Sequence, residues 1–166
     1  MNHRLYTLVL CTLISGATHA QNAAAPVPAQ ILPDFSFKTP DNNVFTPIDL
    51  PREKKLFFVF FDPTCEHCQR AIGQIDREYK SFLSASIYLI SMEDWAKINW
   101  FMKKYAPHLG QQKNVTVLQD KPGLFISRFK PLKFPSMFLY SADKKLIDYE
   151  DDEATVSRFV NAVRDK

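Results

Sequence analysis

Residues 56–61 read LFFVFF, an unbroken apolar row, and the row runs straight into DPTCEHC. A strand with one wet face alternates apolar and polar residues. A row without alternation needs cover on both faces, which predicts a strand in the middle of a layered sheet. Beyond Asp62 and Pro63, Ala71, Ile72, Ile75, Tyr79, Phe82 and Leu83 recur at helical spacing. The spacing therefore predicts a buried strand, a tight turn and an amphipathic helix, with two cysteines at the turn.

The same alternation continues along the chain. SIYLIS at 86–91 is a second strand, and Trp95, Ile98, Phe101, Met102 and Tyr105 mark a second amphipathic helix whose aromatic stripe is core packing. VTVL at 115–118 is a third strand, and PGLFISRF at 122–129 a short helix with Pro122 near its start. SMFLY at 136–140 and KLIDYE at 145–150 pair as a hairpin around residues 142–144. Val156, Phe159, Val160 and Val163 form a closing helix, preceded by an acidic run at 150–153 that suits a helix N-terminus. Ahead of all this, FSFK at 35–38 and NVFTP at 43–47 flank turn residues 40–43 and predict a short hairpin. The whole predicts an α/β fold of three layers: a central mixed sheet, helices on both faces and an extra N-terminal β-hairpin. With 46% hydrophobic residues in 166, such a core can form without metal or disulfide staples.

The first twenty residues stand apart. A short polar start with one Arg, an apolar run at 5–14 and a small-residue stretch ending at Ala20 have the order of a secretory signal peptide. The run is too short to span a bilayer. Cleavage is expected after Ala20, with Thr18 and Ala20 at the small-residue sites; Ala17 is the alternative. Lipid anchoring through Cys11 is not expected, because Leu10 precedes it and the apolar run continues past it. The expected organisation is a signal peptide at 1–20, an Ala/Pro-rich exposed leader at 21–31 and one domain at 32–166. The mature chain would be exported to the periplasm with Cys65 and Cys68 as its cysteines, where a disulfide can persist.

Several function classes lack support. Only 4 glycines occur and no phosphate-binding glycine pattern, which leaves no nucleotide loop. The net charge of +3 comes from scattered basic doublets, so no nucleic-acid partner is expected.

Cysteines at i and i+3 put both sulfurs on one side of a first helical turn. Cys65 lies where the helix starts, and unpaired backbone N–H groups with the positive dipole end favour its thiolate. Cys68, one turn in, suits a resolving thiol. His67, when protonated, favours the thiolate too, while Glu66 opposes it. A zinc site would want a second ligand pair, and the mature chain adds only His67 and His108. A purely structural disulfide would close a very small loop and restrain the unfolded chain little. A redox pair fits the strand–turn–helix placement best.

LPDF at 32–35, LFFVFFDPTCEHC at 56–68 and LQDKPGLFISRFKPLKFPSMFLYSADKKLI at 118–147 resemble the TlpA-like (redoxin) thiol-disulfide oxidoreductases of the thioredoxin fold. The resemblance covers the whole mature domain. It implies a thiol-disulfide oxidoreductase that works on protein thiols and disulfides, is reset by an upstream redox partner that can be membrane-associated, and acts as a monomer. It implies no cofactor beyond a redox-active Cys65–Cys68 disulfide and no metal. It places a cis-proline at Pro135, with Pro131 as rival, and leaves the Phe134 backbone free to pair with a bound polypeptide strand. This chain has Thr64 where the family usually has a Trp, Val59 where thioredoxins carry a buried acid and Ala71 where some TlpA-like reductases place a Glu. No carboxylate is then obviously placed to take the Cys68 proton: Asp62 and Glu66 are expected to face solvent, and His67 is a substitute. Two alternatives share the fold. A thiol peroxidase would want P-x-x-x-T-x-x-C, but Pro63 and Thr64 directly precede Cys65. A copper or haem-maturation module would want one more residue between the cysteines.

Overall fold

The computed structural model describes residues 26–164; the expected signal peptide, Cys11 and the first part of the leader lie outside them, as do residues 165–166. A seven-stranded mixed sheet runs in the order β2-β1-β5-β4-β3-β6-β7. The apolar row forms β3 (Lys55–Phe60), held between parallel β4 (Ala85–Ser91) and antiparallel β6 (Ser136–Tyr140). Beyond β4 lies parallel β5 (Val115–Gln119), and beyond β6 antiparallel β7 (Leu146–Glu150). The expected N-terminal hairpin is β1 (Phe37–Lys38) with β2 (Val44–Phe45), joined to β5 through Lys38 and Gln119.

The absence of alternation in β3 has the expected cause. Phe57, Val59 and Phe61 enter one core, and Leu56, Phe58 and Phe60 enter the other. The first core packs against α1 (Glu66–Arg77), α2 (Trp95–Tyr105) and α4 (Val156–Arg164). The second packs against α3 (Leu124–Phe129) and the N-terminal hairpin, and it is built from rings. Phe125 stacks on Phe129 with centroids 4.0 Å apart and on Phe60 at 4.6 Å. Both tryptophans sit on α2: Trp95 packs against the first core, whereas Trp100 is exposed with Lys104 Nζ 4.9 Å from its ring.

Three local features differ from the expectations or refine them. The helix expected to run to Leu83 stops at Arg77; Glu78 leaves helical geometry and a 3-10 turn over Tyr79–Phe82 lays Phe82 on Phe57. Pro122 precedes α3, whose N-cap is Gly123 at φ 75, a left-handed conformation open to glycine. Buried Asp120 accepts the Leu124 and Phe125 N–H groups at 3.0 and 2.6 Å, and its burial raises its carboxyl above the ordinary range. Finally, the end of the leader is attached to the sheet. Ala29 N–H donates to Phe129 O, Leu146 N–H to Gln30 O and Leu32 N–H to Lys144 O, at 3.0, 2.8 and 2.9 Å.

Candidate active site

β3 leads directly to the cysteines. Phe61 N–H still donates to Ile90 O, which extends the sheet contact by one residue. Asp62 then turns the chain: its Oδ1 accepts the Thr64 N–H and the Thr64 hydroxyl, each at 2.7 Å, and its carbonyl accepts Cys65 N–H at 3.1 Å. Cys65 takes the N-cap position of α1 in an extended conformation, at the end where backbone N–H groups are unpaired. Cys65 is half-buried and Cys68, one turn later, is fully buried; both are free thiols. The two side chains hydrogen-bond each other. Burial pushes the Cys68 thiol far up; the Asp62 backbone hydrogen bond pulls the other way, and the charges of Cys65 and Asp62 add to the rise.

Asp62 is half-buried, not solvent-facing as expected, because the Thr64 hydrogen bonds fold its carboxylate back over the turn. Glu66 does face solvent, 3.7 Å from Arg70. His67 is exposed and engaged elsewhere: its Nδ1 lies 2.9 and 2.8 Å from the two carboxylate oxygens of Glu153. Arg70 Nη2 lies 3.0 Å from the same Nδ1. Arg70 donates Nε–H to Glu153 at 3.1 Å and closes the cluster. The Glu153 carboxyl is held at about 2, first by the His67 hydrogen bond and further by Arg70. The 150–153 acidic run gave a signal for a helix terminus and none for a partner on α1.

The loop before β6 meets the cysteines from the other side. The Phe134–Pro135 bond is cis, Pro135 is buried and Pro131 is not cis. The Phe134 ring lies against Phe60 at 4.8 Å, and Phe134 and Cys65 both pack against the first core. Tyr149 fixes the loop by accepting Leu132 N–H at 2.9 Å, and Ser136 Oγ donates to Lys133 O at 2.6 Å. No hydrogen bond from a described residue reaches the Phe134 N–H or C=O. His67 and Phe134 line one cavity of about 250 Å³ with Lys133, Asp151, Asp152 and Glu153, so the cysteine turn and the proline loop adjoin. An apolar cavity of about 150 Å³ opens beside the loop between Phe60, Ile126, Pro131, Leu132 and Phe134.

A family profile described as AhpC/TSA matches residues 28–149. The chain belongs to the AhpC/TSA family. Among solved structures it is similar to a secreted Mycobacterium tuberculosis disulfide oxidoreductase described as homologous to E. coli DsbE. The two share 20% identity, with 77% of this chain and 95% of that one covered and a TM-score of 0.63. M. tuberculosis DsbF shares 23% identity over 82% of this chain and 98% of its own, with a TM-score of 0.64. BsSco, described as a member of the Sco family of cytochrome c oxidase assembly proteins, shares 14% over 84% and 94%, with a TM-score of 0.63. At these identities the likeness speaks for the fold, which is thioredoxin-like as expected. No curated protein matches.

In this AhpC/TSA chain, then, β3, α1 and the Pro135 loop bring Cys65, Cys68, Thr64, His67 and Phe134 to one edge of the sheet, while Glu66 points away. Val59 and Ala71, where the redoxin resemblance would put acids, are fully buried and apolar. Among the described residues no three His, Cys, Asp or Glu side chains gather as a metal site. His67 is tied to Glu153 and His108 to Asp76.

Proposed function

We propose that the chain is an exported thiol-disulfide oxidoreductase that exchanges disulfides with protein substrates through Cys65 and Cys68. The observation that carries this reading is the pairing of a half-exposed sulfur at a helix N-terminus with a buried sulfur one turn on, beside a cis X-Pro bond with an unpaired backbone before it. Cys65 thiolate attacks one sulfur of a substrate disulfide, forming a mixed disulfide and releasing the other sulfur as a thiolate. Cys68 thiolate then attacks Cys65; the Cys65–substrate bond breaks, the substrate leaves reduced and the Cys65–Cys68 disulfide remains. The reverse sequence oxidises a substrate dithiol. Two electrons pass between the cysteine pair and the substrate sulfurs, and a second thiol or disulfide protein resets the pair.

An extended substrate segment pairs with the Phe134 backbone and rests an apolar side chain in the cavity between Ile126 and Leu132. Export is supported by the signal-like order of residues 1–20.

Replacing Cys68 with Ser tests the reading. The variant should accumulate mixed disulfides with exported proteins, resolved by dithiothreitol, and wild type should reduce insulin. No adduct together with no insulin reduction sinks the proposal. Rapid peroxide consumption by wild type with a dithiol donor, in place of disulfide exchange, would move the assignment to a peroxidase.

A further inference from the structure

If the pair exchanges disulfides as proposed, the second half of the reaction needs Cys68 as a thiolate, and its surroundings oppose that. The residue is fully buried, so its proton requires an acceptor within the site. Val59 and Ala71 offer none. Glu66 has a side chain 82% exposed beside Arg70, and His67 Nδ1 is committed to Glu153. Asp62 is different. Its carbonyl accepts the Cys65 N–H at 3.1 Å, which holds it in the turn that carries the cysteines, and its backbone and its charge both act on the Cys68 thiol. Oδ1 is fixed by two 2.7 Å hydrogen bonds from Thr64, while Oδ2 takes none from any described residue. From α2, Lys97 is the cation whose charge couples to Asp62, and Lys97 itself is bonded to Glu93 at 2.8 Å. The carboxylate is thus oriented by Thr64, half-buried and supplied with one open acceptor.

We propose that Asp62, through Oδ2, accepts the Cys68 proton during the resolving step. Cys68 Sγ–H passes its proton to the carboxylate, directly or through one water, as the sulfur electron pair attacks Cys65 Sγ. The Cys65–substrate S–S bond breaks, the Cys65–Cys68 bond forms, and the departing substrate thiolate takes the proton from Asp62. The substrate sulfur is reduced and the cysteine pair oxidised, with no further reagent. In the opposite direction Asp62 returns the proton to Cys68. The Asp-Pro-Thr turn then supplies the base that β3 and α1 lack.

The test follows reduced protein reacting with Ellman's reagent. The first thionitrobenzoate marks attack by Cys65, and the second marks resolution by Cys68. Asp62→Asn keeps an acceptor for Thr64 and removes the base. Its second release should be about 100-fold slower at neutral pH, within the range of general base catalysis. The gap should close as pH rises, added acetate should partly restore the rate, and the first release should stay within about twofold. If Asp62 acts only through its charge, which opposes the thiolate, Asp62→Asn would resolve faster. A rate unchanged or faster overturns the proposal. Should Asp62→Asn not fold, Asp62→Glu separates the same roles: equal charge with a displaced carboxylate slows release if proton transfer matters and leaves it unchanged otherwise. A wild type that never releases the second thiol removes the exchange reading itself, and this inference with it; normal wild-type release removes neither.

Discussion

Asp76 offers a quantitative test of how α1 is anchored. It lies two turns beyond Cys68 and is only 4% exposed. Oδ1 accepts His108 N–H at 2.9 Å and Leu109 N–H at 2.8 Å, and Oδ2 lies 2.8 Å from His108 Nδ1. The carboxylate thereby starts the 3-10 turn Leu109–Gln111 and ties it to the end of the cysteine helix. Asp76→Ala would leave the buried Leu109 N–H without a partner, at about 1.5–3 kcal/mol for a lost charge-assisted hydrogen bond. His108 N–H adds about 1 kcal/mol, since water can partly replace its partner. The His108 ring, 64% exposed, adds at most about 1 kcal/mol. The total is about 3–5 kcal/mol. Asp76→Asn keeps Oδ1 for both N–H groups and should cost about 1–2 kcal/mol. In urea, with a slope of about 2 kcal/mol per molar, the Ala midpoint should fall by about 2 M and the Asn midpoint by less than about 1 M. Equal losses for the two variants would refute the reasoning, because charge and not donor satisfaction would then dominate. A loss below about 1 kcal/mol for Ala would refute it from the other side.

Glu153→Gln should lower stability by about 1 kcal/mol or less at neutral pH, as befits a pair near the surface. A carboxyl held at about 2, against 4.5, stabilises the fold above 4.5 and loses that contribution as pH falls toward 2, so thermal melts of variant and wild type should converge across that window. Leu132→Asp should lower kcat/KM for a protein disulfide about tenfold, from the loss of roughly 1.4 kcal/mol of apolar contact, and leave reaction with a small disulfide unchanged in the same stopped-flow assay. Phe125→Ala should cost about 3–5 kcal/mol and lower the melting temperature by about 10 °C by circular dichroism. Brief iodoacetamide treatment of reduced protein should label Cys65 and spare Cys68 until denaturant is added, as peptide mass spectrometry would show.

What was legible in the chain was what periodicity and position record. An apolar row without alternation has one physical use, and β3 is buried on both faces because of it. The cysteine spacing is a local signal, whereas the cis bond before Pro135 was legible only through the resemblance to the redoxin proteins. The unread parts depend on partners distant in sequence or on backbone groups. Glu153 reaches His67 across 86 positions, and the acidic run advertised only a helix terminus. Asp62 looked like an ordinary solvent-facing turn residue; it is half-buried, its Oδ1 held by two hydrogen bonds from Thr64. The 3-10 turn after Arg77 keeps apolar residues at nearly helical spacing, so periodicity could not show the break at Glu78. The leader docks through main-chain groups at Ala29 and Gln30, which an Ala/Pro-rich composition does not encode.

The location of Trp95 and Trp100 on a single helix also fixes what light can report. Indole emission will follow α2 alone, with Trp95 beside the core that receives Cys65 and Trp100 facing water. A change in fluorescence on oxidation would therefore locate the response to that helix without any added label. Denaturation traced by this signal should be compared with a ring-core probe such as tyrosine absorbance, because α3 and its stacked phenylalanines contain no indole to announce their own loosening.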